Sequence, residues 1–218
     1  MKQATLSYYG QTWKMWNPGS GRIGLHYNKR EVYERQLLVD VKQRSLTGSA
    51  FDVGAHIGNH AIWFAKVCGL TVHAFEPHRG SLDQLYANLA LNDMEMAVYE
   101  WAAGDRHTTG RFTPGMWVAF DPDRDGAEMD LDRGDIDVHP IDDMVDVPDL
   151  AVVKVDIEGT EADALRGMTR HLKRSHPVVY TEAHTQEDWD AQAEVLEPLG
   201  YRMEKVIQMG SRSLRWRA

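Results

Sequence analysis

The sequence predicts an α/β fold built on a mostly parallel sheet, and three observations predict it. Short buried-type strands alternate with helix-periodic segments along most of the chain. The first such unit, Ser49 to Gly69, reads in order as strand, small-residue turn and helix. Acidic or small residues stand just after several predicted strands, at Glu76, at Ala102-Ala103 and at Asp156-Ile157-Glu158. In open parallel sheets that rim, beside the switch in strand order, is where ligands sit.

Residues 1–27 are rich in Trp, Tyr and Gly and read as a hairpin or extended arm. Within them Gly19-Ser20-Gly21-Arg22-Ile23-Gly24 matches G-x-G-x-x-G. It follows the turn pair Asn17-Pro18, not a buried strand, so it reads as a glycine-rich turn. Glu31 to Ser45 forms a helix with Val32, Leu37, Leu38 and Val41 inward. Ser49 to Val53 is a strand, Gly54, Ala55 and Gly58 give a turn of little bulk, and a helix runs from Asn59 to Gly69. Thr71–Phe75 is the next strand, followed by a helix from Gly80 to Asn92-Asp93 and a strand Met96–Trp101. The alternation breaks at 106–140, where Pro, Gly and many Asp suggest an inserted hairpin and a long acidic loop. It resumes with strand Ala151–Val155, helix Thr160–Leu172, strand Val178–Thr181 and helix Glu187–Leu199. Tyr201–Gln208 and Ser213–Trp216 close the chain as an antiparallel pair around Met209-Gly210.

The 218 residues suit one domain over 1–218, with 1–48 as its arm and first helix. A hydrophobic content of 43% and a charged content of 26% are those of a globular protein. The net charge of −9 argues against nucleic-acid and anionic-membrane partners, which reward clustered Lys and Arg. Cys68 stands alone, which excludes an internal disulfide and fits a reducing compartment. The N-terminus is too polar for a signal peptide and no run approaches a membrane span, so a cytoplasmic location is expected.

Strand, small-residue turn and helix N-terminus together make a holder for a polar cofactor. Glycines let the backbone come close, and the first helical turn offers free N–H groups. Glu76, at a strand end eighteen residues after Gly58, is positioned to accept hydrogen bonds from a ribose diol. NAD and S-adenosylmethionine both carry such a ribose. The turn Gly54-Ala55-His56-Ile57-Gly58 has no third glycine for a pyrophosphate. Lys154 to Glu161 moreover brings Asp156, Glu158 and Glu161 to the fourth strand, where they would repel a pyrophosphate and tolerate a sulfonium.

At this point the chain resembles the FkbM-type members of the class I S-adenosylmethionine-dependent methyltransferases. The pattern is carried by Asp52 through His60, Ala74-Phe75-Glu76-Pro77, Leu85 with Asn88 through Asn92, and Ala103-Gly104-Asp105. It continues in Ile141-Asp142-Asp143, Lys154 through Glu161, Leu165-Arg166-Gly167 and Pro177 to Glu182. The resemblance implies a Rossmann-like, doubly wound sheet with a C-terminal antiparallel pair. It implies S-adenosylmethionine as cofactor, with the methionine part held by Asp52, Gly54, Ala55, His56, Gly58, Asn59 and His60. Glu76, next to Pro77, would bind the ribose, and Ala102, Ala103 and Asp105 would line the adenine. Asp156 and Glu158 would face the methyl group and a hydroxyl acceptor on a small molecule or glycan. His56 stands where Asn is common in the family, and 106–140 follows no family pattern.

A hydroxyl acceptor needs its proton removed by a group titrating near working pH. The candidates are Asp156 and Glu158 first, then Glu182 and His184, both expected just after the fifth strand. The rival readings are an NAD-dependent oxidoreductase and a non-catalytic cofactor-binding protein. No metal is expected. Asp121, Asp123 and Asp125 begin like a calcium loop, yet Asp132 stands where the bidentate Glu belongs. His56 and His60 have zinc-helix spacing, but no acidic residue follows His56 as in H-E-x-x-H.

Overall fold

The computed structural model describes residues 2–114, 127–131, 134–208 and 212–218. The chain opens with a hairpin of β1 (Lys2–Tyr8) and β2 (Gln11–Asn17), then α1 (Gly21–Asn28) and α2 (Arg35–Gln43). β3 (Ser49–Val53) leads through the glycine turn into α3 (Asn59–Trp63), which continues as a π-helical turn, Phe64–Cys68. There follow β4 (Thr71–Phe75), α4 (Arg79–Ala90), β5 (Ala97–Tyr99) and β6 (Ala102–Ala103). β7 (Thr108–Pro114), β8 (Ala127–Leu131), β9 (Ile136–His139) and α5 (Ile141–Met144) fill the region that breaks the alternation. β10 (Leu150–Val155), α6 (Glu161–Arg166), α7 (Thr169–Ser175), β11 (Val178–Ala183) and α8 (Gln186–Leu196) restore it. β12 (Arg202–Gln208) and β13 (Arg212–Arg217) end the chain.

The main sheet has the order β12-β13-β11-β10-β3-β4-β5. β11, β10, β3, β4 and β5 run parallel, and β13 joins β11 antiparallel. The order reverses between β3 and β10, so a crevice opens at their carboxyl ends. One face is covered by α2, α3, α4 and the arm, through Leu38, Ile62, Trp63, Leu85, Trp13 and Met15. The other is covered by α6, α7 and α8, through Leu165, Leu172 and Leu196. Trp63, fully buried, sits edge-on against Tyr8 and Trp13 and so fastens the hairpin to α3. Asn88 of α4 and Asn92 in the turn just after it complete the fastening by accepting the β2 backbone N–H groups of Trp16 and Lys14.

Several expectations are corrected. Residues 21–28 form a helix, not only a glycine-rich turn, with Tyr27 and Gly24 as its buried side. The first long helix begins at Arg35, because Glu34 is left-handed at φ 54° and turns its carboxylate into the core. The helix expected over 160–172 breaks at Gly167. Its carbonyl accepts the Asp142 N–H instead of continuing the helix, and a Cβ there would overlap the Gly104 carbonyl. β11 runs on to Ala183, so Glu182 belongs to the strand, paired opposite Ser213 of β13. The inserted hairpin is present as β7 and β8, in a small sheet ordered β6-β9-β7-β8. Its acidic loop, with Asp121, Asp123, Asp125 and Asp132, lies outside the described residues. Among the described residues no helix is long and apolar enough to cross a membrane.

Gly54 marks a tight backbone approach at the head of the site. Its φ is +80°, and a Cβ would overlap the Asp156 carbonyl oxygen on the neighbouring strand end. Gly69 shares the left-handed backbone (φ +76°) but faces open space. Gly69→Ala is therefore expected to cost about 1 kcal/mol of unfolding free energy, and Gly54→Ala about 1–3 kcal/mol more from the clash. Urea midpoints at constant slope measure both; equal losses would show that the β3–β10 approach is not tight.

Candidate active site

The site grows from the ends of β3, β4 and β10. After Val53, the N–H groups of Gly54 and Ala55 both donate to the Phe75 carbonyl, at 2.9 and 3.0 Å. This folds the turn back over β4. His56 is left-handed (φ 49°), which aims its N–H at Glu76 Oε2, 2.7 Å away. Glu76 Oε1 accepts the His78 N–H at 2.8 Å. Burial pushes the Glu76 carboxyl up, against the pull of those two amides. Each oxygen accepts one amide and keeps a second acceptor site. Gly58 (φ +89°) then turns the chain into α3 beneath Leu85, where a Cβ would meet Leu85 Cδ1 at 2.6 Å.

Lys154 stands at the centre. It is the one charged side chain in the apolar strand LAVVKV, and its ammonium is buried. Nζ donates to the Gly54 carbonyl at 2.8 Å and lies 3.4 Å from Asp52 Oδ1 and 3.5 Å from Asp156 Oδ2. Burial opposes its charge, but Asp156, Asp52 and Glu34 outweigh it and raise its pKa. Asp52 is fully buried, and neither oxygen has a hydrogen-bond partner among the described residues. Asp156, with 26% of its side chain exposed, is pushed up to about 6 by partial burial and by the neighbouring Glu182 carboxylate, with Lys154 pulling the other way.

The loop after β10 is strained and pinned. Glu158 (φ 58°) and Gly159 (φ 112°) are left-handed, and Glu161 accepts the N–H groups of Ile157 and Gly159 at 3.0–3.2 Å. Burial pushes Glu161 up to about 7 against those amides. The geometry presents Glu158 to His184, whose Nε2 lies 3.4 Å from Glu158 Oε2 and 3.2 Å from Glu182 Oε2. Hydrogen bonding to the two carboxylates raises His184 to about 10, despite partial burial. At neutral pH His184 is an imidazolium.

Asp156, Glu158, Glu182 and His184 thus meet at one rim beside Asp52 and the turn of Gly54, Ala55, His56 and Gly58. Asn59 and His60 turn their side chains toward the N-terminal segment. Asn59 accepts from Tyr27 and donates to the Tyr33 carbonyl, and His60 pairs with Glu34 at 2.9 Å. Ala102 and Ala103 lie buried in β6, and Asp105 turns outward to Arg106. One donor atom from each of Glu158, Glu182 and His184 lies within 4.8 Å of the others, close enough to share a cation. Sequence reasoning named Lys154 only as part of its motif, counted Glu161 only among the carboxylates at the fourth strand, and passed over Glu34. A lysine in a doubly covered strand was a usable signal, since a buried ammonium needs buried carboxylates; nothing local marked Glu34. Lys154→Met should destabilise the fold by about 3–5 kcal/mol at neutral pH by stranding Asp52 and Asp156. The loss should shrink as pH falls below the Asp156 value of about 6, because protonated carboxyls need no counter-charge. Denaturant unfolding at two pH values reads both effects, and a loss independent of pH would refute the coupling.

Three comparisons bear on this arrangement. A family model described as "Methyltransferase FkbM domain" matches residues 52–203. A hexuronic acid methyltransferase, AglP of Haloferax volcanii, is 29% identical over 131 residues, 59% of this chain and 53% of the relative. The chain thus spans about half the length of that curated relative. The crystal structure of an FkbM methyltransferase from Methylobacillus flagellatus is 26% identical with a TM-score of 0.55, over 77% of this chain and 43% of that one. Aeropyrum pernix fibrillarin, solved with S-adenosyl-L-methionine bound, has a TM-score of 0.54 at 9% identity, covering 99% and 82% of the two chains, a likeness of fold alone. The fold is that of the class I methyltransferases. With the family match running from the buried Asp52 to Met203, across every strand that builds the rim, the chain belongs to the FkbM methyltransferase family.

Proposed function

We propose that the chain transfers the methyl group of S-adenosylmethionine to a hydroxyl oxygen of a glycan or other small molecule, with Asp156 as general base. The observation that carries this is Asp156 itself, held near neutral titration at the strand-order switch beside the glycine turn. Family membership favours methyl transfer over hydride transfer to NAD and over a non-catalytic binding role. The glycan acceptor is supported by the relative named for hexuronic acid. The net charge of −9 speaks against nucleic acid, and a lone cysteine accords with a cytoplasmic location.

The residues fit the cofactor. Glu76 is a carboxylate fixed by two amides with acceptor capacity to spare, as a ribose diol requires. Asp52 brings two buried oxygens without hydrogen bonds to the same turn. The methionine part would lie along Gly54 to His60, and Pro77, Ala102, Ala103 and Asp105 would border the nucleoside. When bound, S-adenosylmethionine supplies a methyl group already activated on a sulfonium, so alignment in a dry site is most of what the protein must add. Asp156 takes the acceptor's proton at its carboxylate. Lys154 holds Asp156 in place and keeps its titration from rising further. His184, protonated between Glu158 and Glu182, lets two carboxylates stand at the acceptor side without mutual repulsion. It is a charge partner, not a base.

Asp156→Asn is expected to lower kcat by about 10²–10⁴-fold while leaving the affinity for S-adenosylhomocysteine nearly intact. In the parent protein, activity should rise with pH through about 6 as Asp156 loses its proton, and fall toward about 10 as His184 loses its own. A turnover of Asp156→Asn equal to the parent's would remove Asp156 as base. Glu76→Ala should weaken S-adenosylhomocysteine binding by about 1–3 kcal/mol, the worth of charge-assisted hydrogen bonds. Calorimetry measures it, and an unaltered dissociation constant would take Glu76 out of the ribose site.

A further inference from the structure

The arm and α1 enclose a cavity of about 380 Å³ that is separate from the strand-end carboxylates. Ala4, Asn17, Tyr27 and Asn28 line it, and Lys2 and Arg30 stand beside them. The volume is in the range of small-molecule pockets, about 300–1,000 Å³. Its chemistry is unusual for this chain. In a protein with 33 acidic residues against 24 basic ones, both charged residues at this cavity are cations. Both residues are exposed, and among the described residues neither the Lys2 ammonium nor the Arg30 guanidinium has an ion-pair or hydrogen-bond partner.

The remaining lining is polar and pre-set. Asn17 is 5% exposed and is fixed by the Gly19 N–H and by Asn28, whose Oδ1 accepts from Asn17 Nδ2 at 2.9 Å. That bond holds the Asn28 amide plane, so its own N–H groups are presented rather than mobile. Tyr27, 2% exposed, belongs to the core beneath the cavity and supports its floor. Two cations and an oriented amide suit a ligand with a negative group beside hydroxyls.

The cavity is also joined to the reaction centre by short covalent and hydrogen-bonded steps. The Tyr27 hydroxyl donates to Asn59, the first residue of α3 after the glycine turn. Arg30 is left-handed at φ 60°, and four residues further Glu34 is left-handed and paired with His60 beneath the rim. The segment 29–34 therefore runs from the cavity to the buried charges under Asp156.

We infer that this cavity is a subsite for the anionic end, carboxylate or phosphate, of an extended saccharide whose hydroxyl is presented to Asp156. The inference rests on the methyl-transfer reading for that last step, and on the cavity alone for the binding. Arg30 forks onto the anion, Lys2 adds a second charge, and Asn28 donates to neighbouring hydroxyls.

The test is a titration of the full chain, followed by NMR, with glucuronate, glucose 6-phosphate and glucose, beside a calorimetric titration with S-adenosylhomocysteine. At least one anionic sugar should bind about tenfold more tightly than glucose, the worth of one hydrogen bond to a charged group. Arg30→Gln and Lys2→Gln should each erase much of that preference without changing S-adenosylhomocysteine affinity. Both sites are exposed, and Arg30→Gln keeps the same backbone demand. Glucuronate binding alone assigns a carboxylate, glucose 6-phosphate binding alone a phosphate, and either supports the subsite. Equal affinity for glucose and the anions, or anion binding untouched in both variants, overturns it. No sugar binding by a protein that binds S-adenosylhomocysteine overturns it as well. Failure of S-adenosylhomocysteine itself, with anion binding still lost in Arg30→Gln, strikes the methyl-transfer reading and leaves the subsite standing.

Discussion

A single buried ammonium ties the site together. Lys154 Nζ holds the Gly54 carbonyl while lying between Asp52 of β3 and Asp156 beyond β10. Those two strands are where the sheet reverses its order, so their ends have no crossover helix of their own to hold them together. Main-chain pairing ends with Asp156 N–H on the Val53 carbonyl. Beyond that point the chains diverge, and the lysine is the bond that continues the register by one more step. A lysine confined in a dry interior is costly on its own, and it persists because Asp52 is buried beside it and Asp156 pairs with it from the rim.

Around that point the structure uses tight backbone approaches where a looser protein would use side chains. Gly54 passes under the Asp156 carbonyl, and Gly167 under the Gly104 carbonyl, each where a Cβ would collide. The second contact joins the break between α6 and α7 to the segment that enters the small sheet. Aromatic rings then carry the link across, since Phe75 stacks on Tyr99 at 4.7 Å and meets Trp101 edge-on at 5.2 Å. The hairpin at the chain start is bound by a different means, Trp63 and the two asparagines Asn88 and Asn92 in and just after α4. The strand-end rim is thus held from both faces of the sheet.

The elements that follow the two periodicities were legible in the sequence, and so was the rim. Ser49–Val53 reads as a strand because it is a short run ending at the glycine turn, Val178 onward because it is rich in β-branched and aromatic residues, and Leu82, Leu85 and Leu89 make a helix face by spacing alone. Glu76 and Asp156 could be placed because a strand end is a local property. What could not be read are the places where a distant group overrides the local pattern. Gly167 sits in a sequence that would continue a helix, and the Asp142 N–H takes its carbonyl. Glu34 sits in a helical pattern, and pairing with His60 pulls it out. Tyr27 lies in a glycine-rich stretch that reads as a turn, yet burial of its ring and its bond to Asn59 favour a helix. The role of Lys154 fell between the two: the residue was visible in its motif, but its partners were a matter of sheet order.

The charges at the rim also explain why two kinds of carboxylate coexist there. Asp52, Asp156, Glu158 and Glu182 concentrate negative charge at the rim. The same concentration of charge would normally force some of these groups to hold protons, and Asp156 shows that tendency at about 6. Lys154 on the inner side and the imidazolium of His184 on the outer side divide the carboxylates between them. Glu158 and Glu182 are satisfied by His184, and Asp52 has Lys154 close by on its buried side. Asp156 alone sits between both sets, opposed by Glu182 and only partly neutralised by Lys154. It is the imbalance at that one residue, not the acidity of the rim as a whole, that leaves a carboxylate ready to accept a proton near neutral pH.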